Sequence, residues 1–148
     1  MLDEVWNGLP AVHVAEILGS WKGTCLDTGH RGLRALQNIN WYGHTFHSPH
    51  NAQPLVRRDP DGTLYSDEDL MFGEASLWMA MFRGQLTATM IYDGEPVLTH
   101  FKKVDDRTLL AIMNGKPVAL DNGRHLYYVL DRAPRQGNDA GYATPAGN

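Results

Sequence analysis

A single cysteine, Cys25, stands among 148 residues. That excludes an internal disulfide and a cysteine-rich zinc site, and it suits a reducing compartment. Basic residues are also scarce: 13 Lys and Arg against 17 Asp and Glu leave a net charge of −4. This is the wrong balance for a protein that must neutralise phosphates, so no nucleic-acid partner is expected. No apolar run approaches the ~20 residues of a membrane span. Asp3 and Glu4 sit where a secretion signal would be basic. The sequence has no G-x-S-x-G, H-E-x-x-H, phosphate-loop or dinucleotide fingerprint, which removes the commonest hydrolase and nucleotide-binding chemistries. A soluble, cytoplasmic, single domain is the expectation, long enough to build a core without staples.

The segments that are present read mostly as strands. The first eighteen residues are helical but broken, with Leu2, Val5 and Trp6 ahead of Gly8 and Pro10, and Val12, Val14, Ile17 and Leu18 after them. A strand is predicted over 20–26 and a short helix over 33–39, where Leu33, Leu36 and Ile39 share one side. Residues 41–46 are aromatic-rich and stop at Pro49; 54–57 is a brief apolar segment before the turn Arg58-Asp59-Pro60-Asp61-Gly62. Strands are then predicted over 75–82, 85–92, 97–104, 108–113 and 124–132, joined by short turns such as Arg83-Gly84 and Asn114-Gly115. The rhythm is an antiparallel meander without βαβ units. A closed barrel capped by the N-terminal helical segment removes its unpaired edges. Residues 1–132 are assigned to one barrel domain and 133–148 to a flexible tail poor in apolar anchors.

Aromatic and methionine side chains are concentrated on these strands. Trp21, Trp41, Phe46, Trp78, Met90 and Met113, with His47 and Tyr127, are expected to line an apolar cavity and to contact a small, mainly hydrophobic molecule. The structural alternative is that the same side chains fill the core, and for Trp21, between two glycines, that reading leads. His44, His47 and His50 form an H-x-x-H-x-x-H run. Gly43 and Pro49 oppose the helix that would let them chelate a metal, so loop or solvated positions are expected. His100 lies within a predicted strand, with Leu98, Lys102 and Val104 on its face and Val97, Thr99, Phe101 and Lys103 on the other. Near the end of the preceding strand, Tyr92 and Asp93 are placed to partner it, giving a candidate acid–base set for a cofactor-independent lyase, isomerase or cyclase. Strand 75–82, apolar on both faces, is expected to pack under the N-terminal helix or against a second copy in a homodimer. Cys25 is expected to be a small core residue.

Taken in order, Gly19-Ser20-Trp21-Lys22-Gly23, Thr28-Gly29-His30, Trp41-Tyr42-Gly43, Phe46, Pro54-Leu55, the run Ala88 to Asp93, His100-Phe101, Lys103-Val104-Asp105, Leu109-Leu110 and Met113 form a recognisable succession. It resembles the GXWXG family, in which that motif region (here about 16–57) joins a C-terminal domain of unknown function (about 75–132). The sequence departs from the family pattern at His44, Thr99 and Asn114, where a lysine and two acidic residues are usual. A weaker likeness is to the nitrobindins, calycin-like barrels that open with the same motif and bind haem b. That likeness implies a small calycin-like β-barrel, and it implies His125 as the axial ligand if haem is bound. Otherwise no cofactor is expected.

Overall fold

In the computed structural model, which describes residues 1–133, nine strands form one antiparallel sheet. They are β1 (Gly19–Cys25), β2 (Trp41–Ser48), β3 (Asn51–Arg58), β4 (Leu64–Ser66), β5 (Ala75–Phe82), β6 (Gln85–Tyr92), β7 (Val97–Asp105), β8 (Thr108–Gly115) and β9 (Leu126–Arg132). The order β2-β1-β9-β8-β7-β6-β5-β3 returns to β2 through a β2–β3 pairing. Eight strands therefore close a barrel, and β4 lies along β3 outside the ring. The mainly β, closed architecture expected from the meander is the one observed. The tight β5–β6 turn has positive φ at both Arg83 (50°) and Gly84 (80°), the backbone that matches the twist of a two-residue hairpin.

The register assigns faces. Met90 pairs with Thr99, Thr99 with Met113, and Met113 with Leu126; Phe101 pairs with Ala111, Ala111 with Tyr128, and Tyr128 with Cys25. These side chains point into the barrel. There Trp21, Phe46, Leu77, Met90, Phe101 and Leu130 are each at most 2% exposed and meet in one core. A 3-10 turn, Val14–Ile17, closes one mouth: Val12, Val14 and Ile17 join the same core, and the Ile17 carbonyl accepts the Trp21 indole N–H at 2.8 Å. Helix α2 (Gly32–Asn38) covers the other mouth, with Leu36 packed on the core and Gly32 against Leu126.

Of the N-terminal segment expected to cap the barrel, the Val14–Ile17 turn does so, whereas helix α1 (Leu2–Gly8) lies on the outer wall. Trp6, fully buried, packs with Leu110, Ile112 and Tyr127, side chains that alternate out of β8 and β9. The Phe82 end of β5 joins this contact, its ring 5.9 Å from Trp6. Trp78, further along β5, stays 49% exposed. No helix among the described residues is long and apolar enough to cross a membrane. The tail assigned to 133–148 lies, from residue 134 on, outside the described residues.

The Gly-x-Trp-x-Gly segment has a packing explanation. A Cβ on Gly19, whose φ is +122°, would stand 2.6 Å from the Arg132 guanidinium, which itself lies 4.1 Å over the Trp21 ring. A Cβ on Gly23 would stand 2.2 Å from the Trp41 indole. The two glycines thus make room for an arginine stacked on one tryptophan and for the ring of another.

Segment 54–57 is part of a full strand, contrary to the brief apolar stretch expected. Pro54 is tolerated because the β2–β3 ladder shifts register between Gly43 and Thr45, opposite it. The Pro54 carbonyl, freed from the ladder, accepts the Trp41 indole N–H at 3.0 Å and the His44 ring at 2.8 Å.

Candidate functional site

At the α2-covered mouth, a cleft of about 360 Å³ runs between that helix and the first two strands. Gly23 and Cys25 of β1 and Trp41 of β2 form one wall, Leu33, Leu36 and Gln37 of α2 the other, with Thr24 and Asn40 at the rim. The side chains are uncharged, and the volume falls at the small end of the ~300–1,000 Å³ typical of ligand sites. Burial pushes the Cys25 thiol up to about 11, so it is a neutral group here and not a nucleophile.

Behind Trp41 lies a buried polar cluster. The Trp41 ring meets His44 and Tyr128 edge-on, at 5.4 and 5.3 Å between centroids. His44 is 2% exposed and stacks on Phe46. Its burial lowers the imidazole pKa to about 4, only partly opposed by the bond to Pro54. A neutral ring whose Nδ1–H donates to the Pro54 carbonyl must accept at Nε2, so the Tyr128 hydroxyl donates there, at 2.7 Å. Burial also holds the Tyr128 phenol well above its ordinary pKa. Thr99, fully buried, has a hydroxyl that interacts with that of Tyr128 without making a formed hydrogen bond, and it has no other partner among the described residues. Tyr92 is buried nearby, its phenol likewise pushed up by burial.

The structure does not assemble the acid–base set anticipated around His100. Tyr92 points into the barrel and Asp93 is an exposed turn residue, whereas His100 lies on the outer wall, opposite Thr89 and Ile112. The hairpin brings the backbones together, but strand alternation sends the side chains to opposite faces. Both nitrogens of His100 are occupied, Nδ1 by the Thr89 hydroxyl at 2.9 Å and Nε2 by the Asn114 amide at 3.1 Å. The Phe82 ring stacks on the imidazole at 3.9 Å, and burial lowers its pKa to about 4. This is a satisfied, covered histidine.

The anticipated lining residues scatter as well. Trp41 lines the cleft. Trp21, Phe46 and Met90 fill the core, with Met113 partly buried against it. Tyr127 faces outward beneath α1 and donates a hydrogen bond to Asp3. Trp78 is on the outer wall beside the His50 ring, and His47 is exposed, bonded to Gln53. The three histidines of the H-x-x-H-x-x-H run therefore diverge, and no group of three metal-ligating side chains converges among the described residues.

A haem does not fit at His125. The residue precedes the inward Leu126 and turns outward, away from the interior, with Phe82 edge-on at 6.1 Å. The interior that would take a porphyrin is occupied by Met90, Phe101 and Tyr128.

Sequence reasoning missed the His44–Tyr128 pair, whose members are 84 positions apart. The available signal was parity: both residues fall on the inward register once Trp21 and Leu130 are taken as core.

Residues 4–62 match the family model described as GXWXG protein, and residues 73–132 match a domain of unknown function, DUF4334. Both stretches contribute to one ring, since β1 pairs with β9 and β3 with β5. A crystal structure of a protein from Thermomonospora curvata is 35% identical to this chain, with a TM-score of 0.83, over 90% of this chain and 86% of that one. No curated protein matches.

Proposed function

The chain belongs to the GXWXG family and carries the DUF4334 domain in its second half; on that footing we propose that it binds a small, mainly hydrophobic organic molecule at the α2-covered mouth of its barrel. The fold is compatible with ligand binding. The observation that carries the proposal is the cleft of about 360 Å³, walled by Trp41, Leu33 and Leu36 and free of charged side chains. The molecule sits at the mouth and not in a central hollow, because the middle of the barrel is taken up by Trp21, Phe46, Met90 and Phe101. A binding role is favoured over turnover by the state of the titratable groups: His44 and His100 each have both ring nitrogens engaged, and Cys25 is a neutral thiol.

Cys25 supplies the test. It is the single thiol of the chain and lines the cleft. A panel of neutral apolar compounds is screened by thermal shift, and each hit is then tested for slowing the alkylation of Cys25 and for changing tryptophan emission. Hits that raise the melting temperature and protect the thiol support the site. Hits that stabilise the protein without protecting Cys25 place the molecule elsewhere and defeat the proposal.

A further inference from the structure

We infer that the polar end of the bound molecule is an uncharged hydroxyl or carbonyl, seated against the hydroxyls of Thr99 and Tyr128 one layer inside the cleft. This rests on the binding site proposed above and specifies the chemistry that site selects.

The starting point is Thr99. It is fully buried; its hydroxyl interacts with that of Tyr128, but the contact falls short of a formed hydrogen bond and Oγ1 has no other partner among the described residues. A buried hydroxyl left unpaired is costly, and such groups are uncommon in native interiors. Its neighbour Tyr128 gives its hydrogen to His44, which leaves the phenolic oxygen able to accept a further bond. The two hydroxyls together present one spare donor and spare acceptors, a match for an alcohol or a ketone. The Tyr128 member of the pair is also next to the cleft. Tyr128 lies opposite Cys25 in the β1–β9 register and touches the Trp41 ring, and both of those residues line the cleft wall. The Trp41 indole stands between the open space and the Tyr128 ring, held by a hydrogen bond to the Pro54 carbonyl and by edge contacts with His44 and Tyr128 that a head group must displace. In the bound state the indole turns aside, the head group reaches Thr99 and Tyr128, and the apolar body remains between Leu33, Leu36 and Trp41.

The absence of charge is the selective element. His44 is neutral, Tyr128 is un-ionised, and no cation lines the cleft. A carboxylate placed here would surrender its hydration to groups that do not compensate for it. A hydroxyl surrenders much less and recovers it from two partners.

The test compares three probes of equal chain length, 1-octanol, 1-chlorooctane and octanoate at pH 7.5, titrated into the native protein and into Thr99→Val and Thr99→Ser. Thr99→Val keeps the shape and removes an unpaired hydroxyl, so its melting temperature is expected to stay at or above that of the native protein. Native protein is expected to bind 1-octanol at least about tenfold more tightly than octanoate. Thr99→Val is expected to weaken 1-octanol roughly 2- to 10-fold and leave 1-chlorooctane unchanged. Thr99→Ser, which retains the hydroxyl, is expected to preserve the preference for the alcohol. If 1-octanol and 1-chlorooctane both protect Cys25 but Thr99→Val changes neither or weakens both equally, the head-group inference is overturned while the cleft survives as a site. If octanoate binds native protein as well as 1-octanol, selection for an uncharged group is refuted. If none of the three protects Cys25, the binding site itself fails and this inference with it.

Discussion

Replacing Gly23 by alanine tests the link between the motif and the cleft. The added Cβ would lie 2.2 Å from Trp41 Cη2, 2.5 Å from Cζ3 and 3.0 Å from Cζ2, where carbon atoms normally rest ~3.5–4.0 Å apart. The indole must retreat by more than an ångström. It is a rigid ring whose N–H is bonded to Pro54 and whose edge rests on His44 and Tyr128, so the displacement spreads into the buried polar cluster. Overpacking of this kind costs about 1–3 kcal/mol. Alanine also stiffens the unfolded chain, which returns about 0.4–1 kcal/mol, so a net loss of about 1–2 kcal/mol is expected. At roughly 2–4 °C per kcal/mol for a chain of this size, the melting temperature falls by roughly 2–8 °C. Urea unfolding of Gly23→Ala, Trp41→Phe and the double variant forms a cycle in which the smaller phenyl ring accepts the new methyl. The double variant is expected to be more stable than the sum of the single effects by about 1 kcal/mol. A Gly23→Ala protein as stable as the native one, or a cycle with no coupling, would refute the claim that Gly23 exists to accommodate Trp41.

Acid stability follows from the buried imidazoles. His44 and His100 each have folded pKa values near 4, against about 6.5 when unfolded. The unfolded chain therefore binds more protons between those values, and stability falls as pH drops from about 6.5 to about 4, by up to about 3 kcal/mol for His44. Urea midpoints at pH 7.5, 5.5 and 4.5 should decline in that order, and a flat series contradicts the burial argument. Tyr128→Phe removes the donor to His44 Nε2 and leaves a buried acceptor unpaired, so a loss of about 1–3 kcal/mol in chemical denaturation is expected. Trp6→Ala empties the contact beneath α1, where Trp6 is fully buried, and should cost about 3–5 kcal/mol by the same measurement. With its pKa near 11, Cys25 should react with iodoacetamide at pH 8 at least about a hundredfold more slowly than a free thiol, and a rate near that of free cysteine would show the thiol to be exposed.

Local patterning was sufficient for much of the fold. Strand 75–82, the Arg83-Gly84 turn and the alternation along 97–104 are carried by neighbouring residues, because side-chain alternation and turn chemistry act over a few positions. Pro54 misled for the same reason, since the register shift that admits it is a property of two strands and not of one. The site was less legible. Trp41 and the Leu33–Leu36 face of α2 were visible, but their meeting across a barrel mouth was not.

Chain chemistry alone thus set most of the elements, their antiparallel succession and the two side-chain rows of each strand. Closure of the ring chose which row faces inward. That choice sent Tyr92, Thr99 and Tyr128 to the interior and His100 to the outer wall, and it brought His44 to Tyr128 across 84 positions. The physical reason is that alternation along a strand is local, whereas the sign of a face depends on which apolar row gains more by leaving water. With Trp6 of α1 covering Leu110 and Ile112 outside and Phe101 and Leu130 packed inside, both rows of these strands are apolar, and only assembly of the whole sheet breaks the tie.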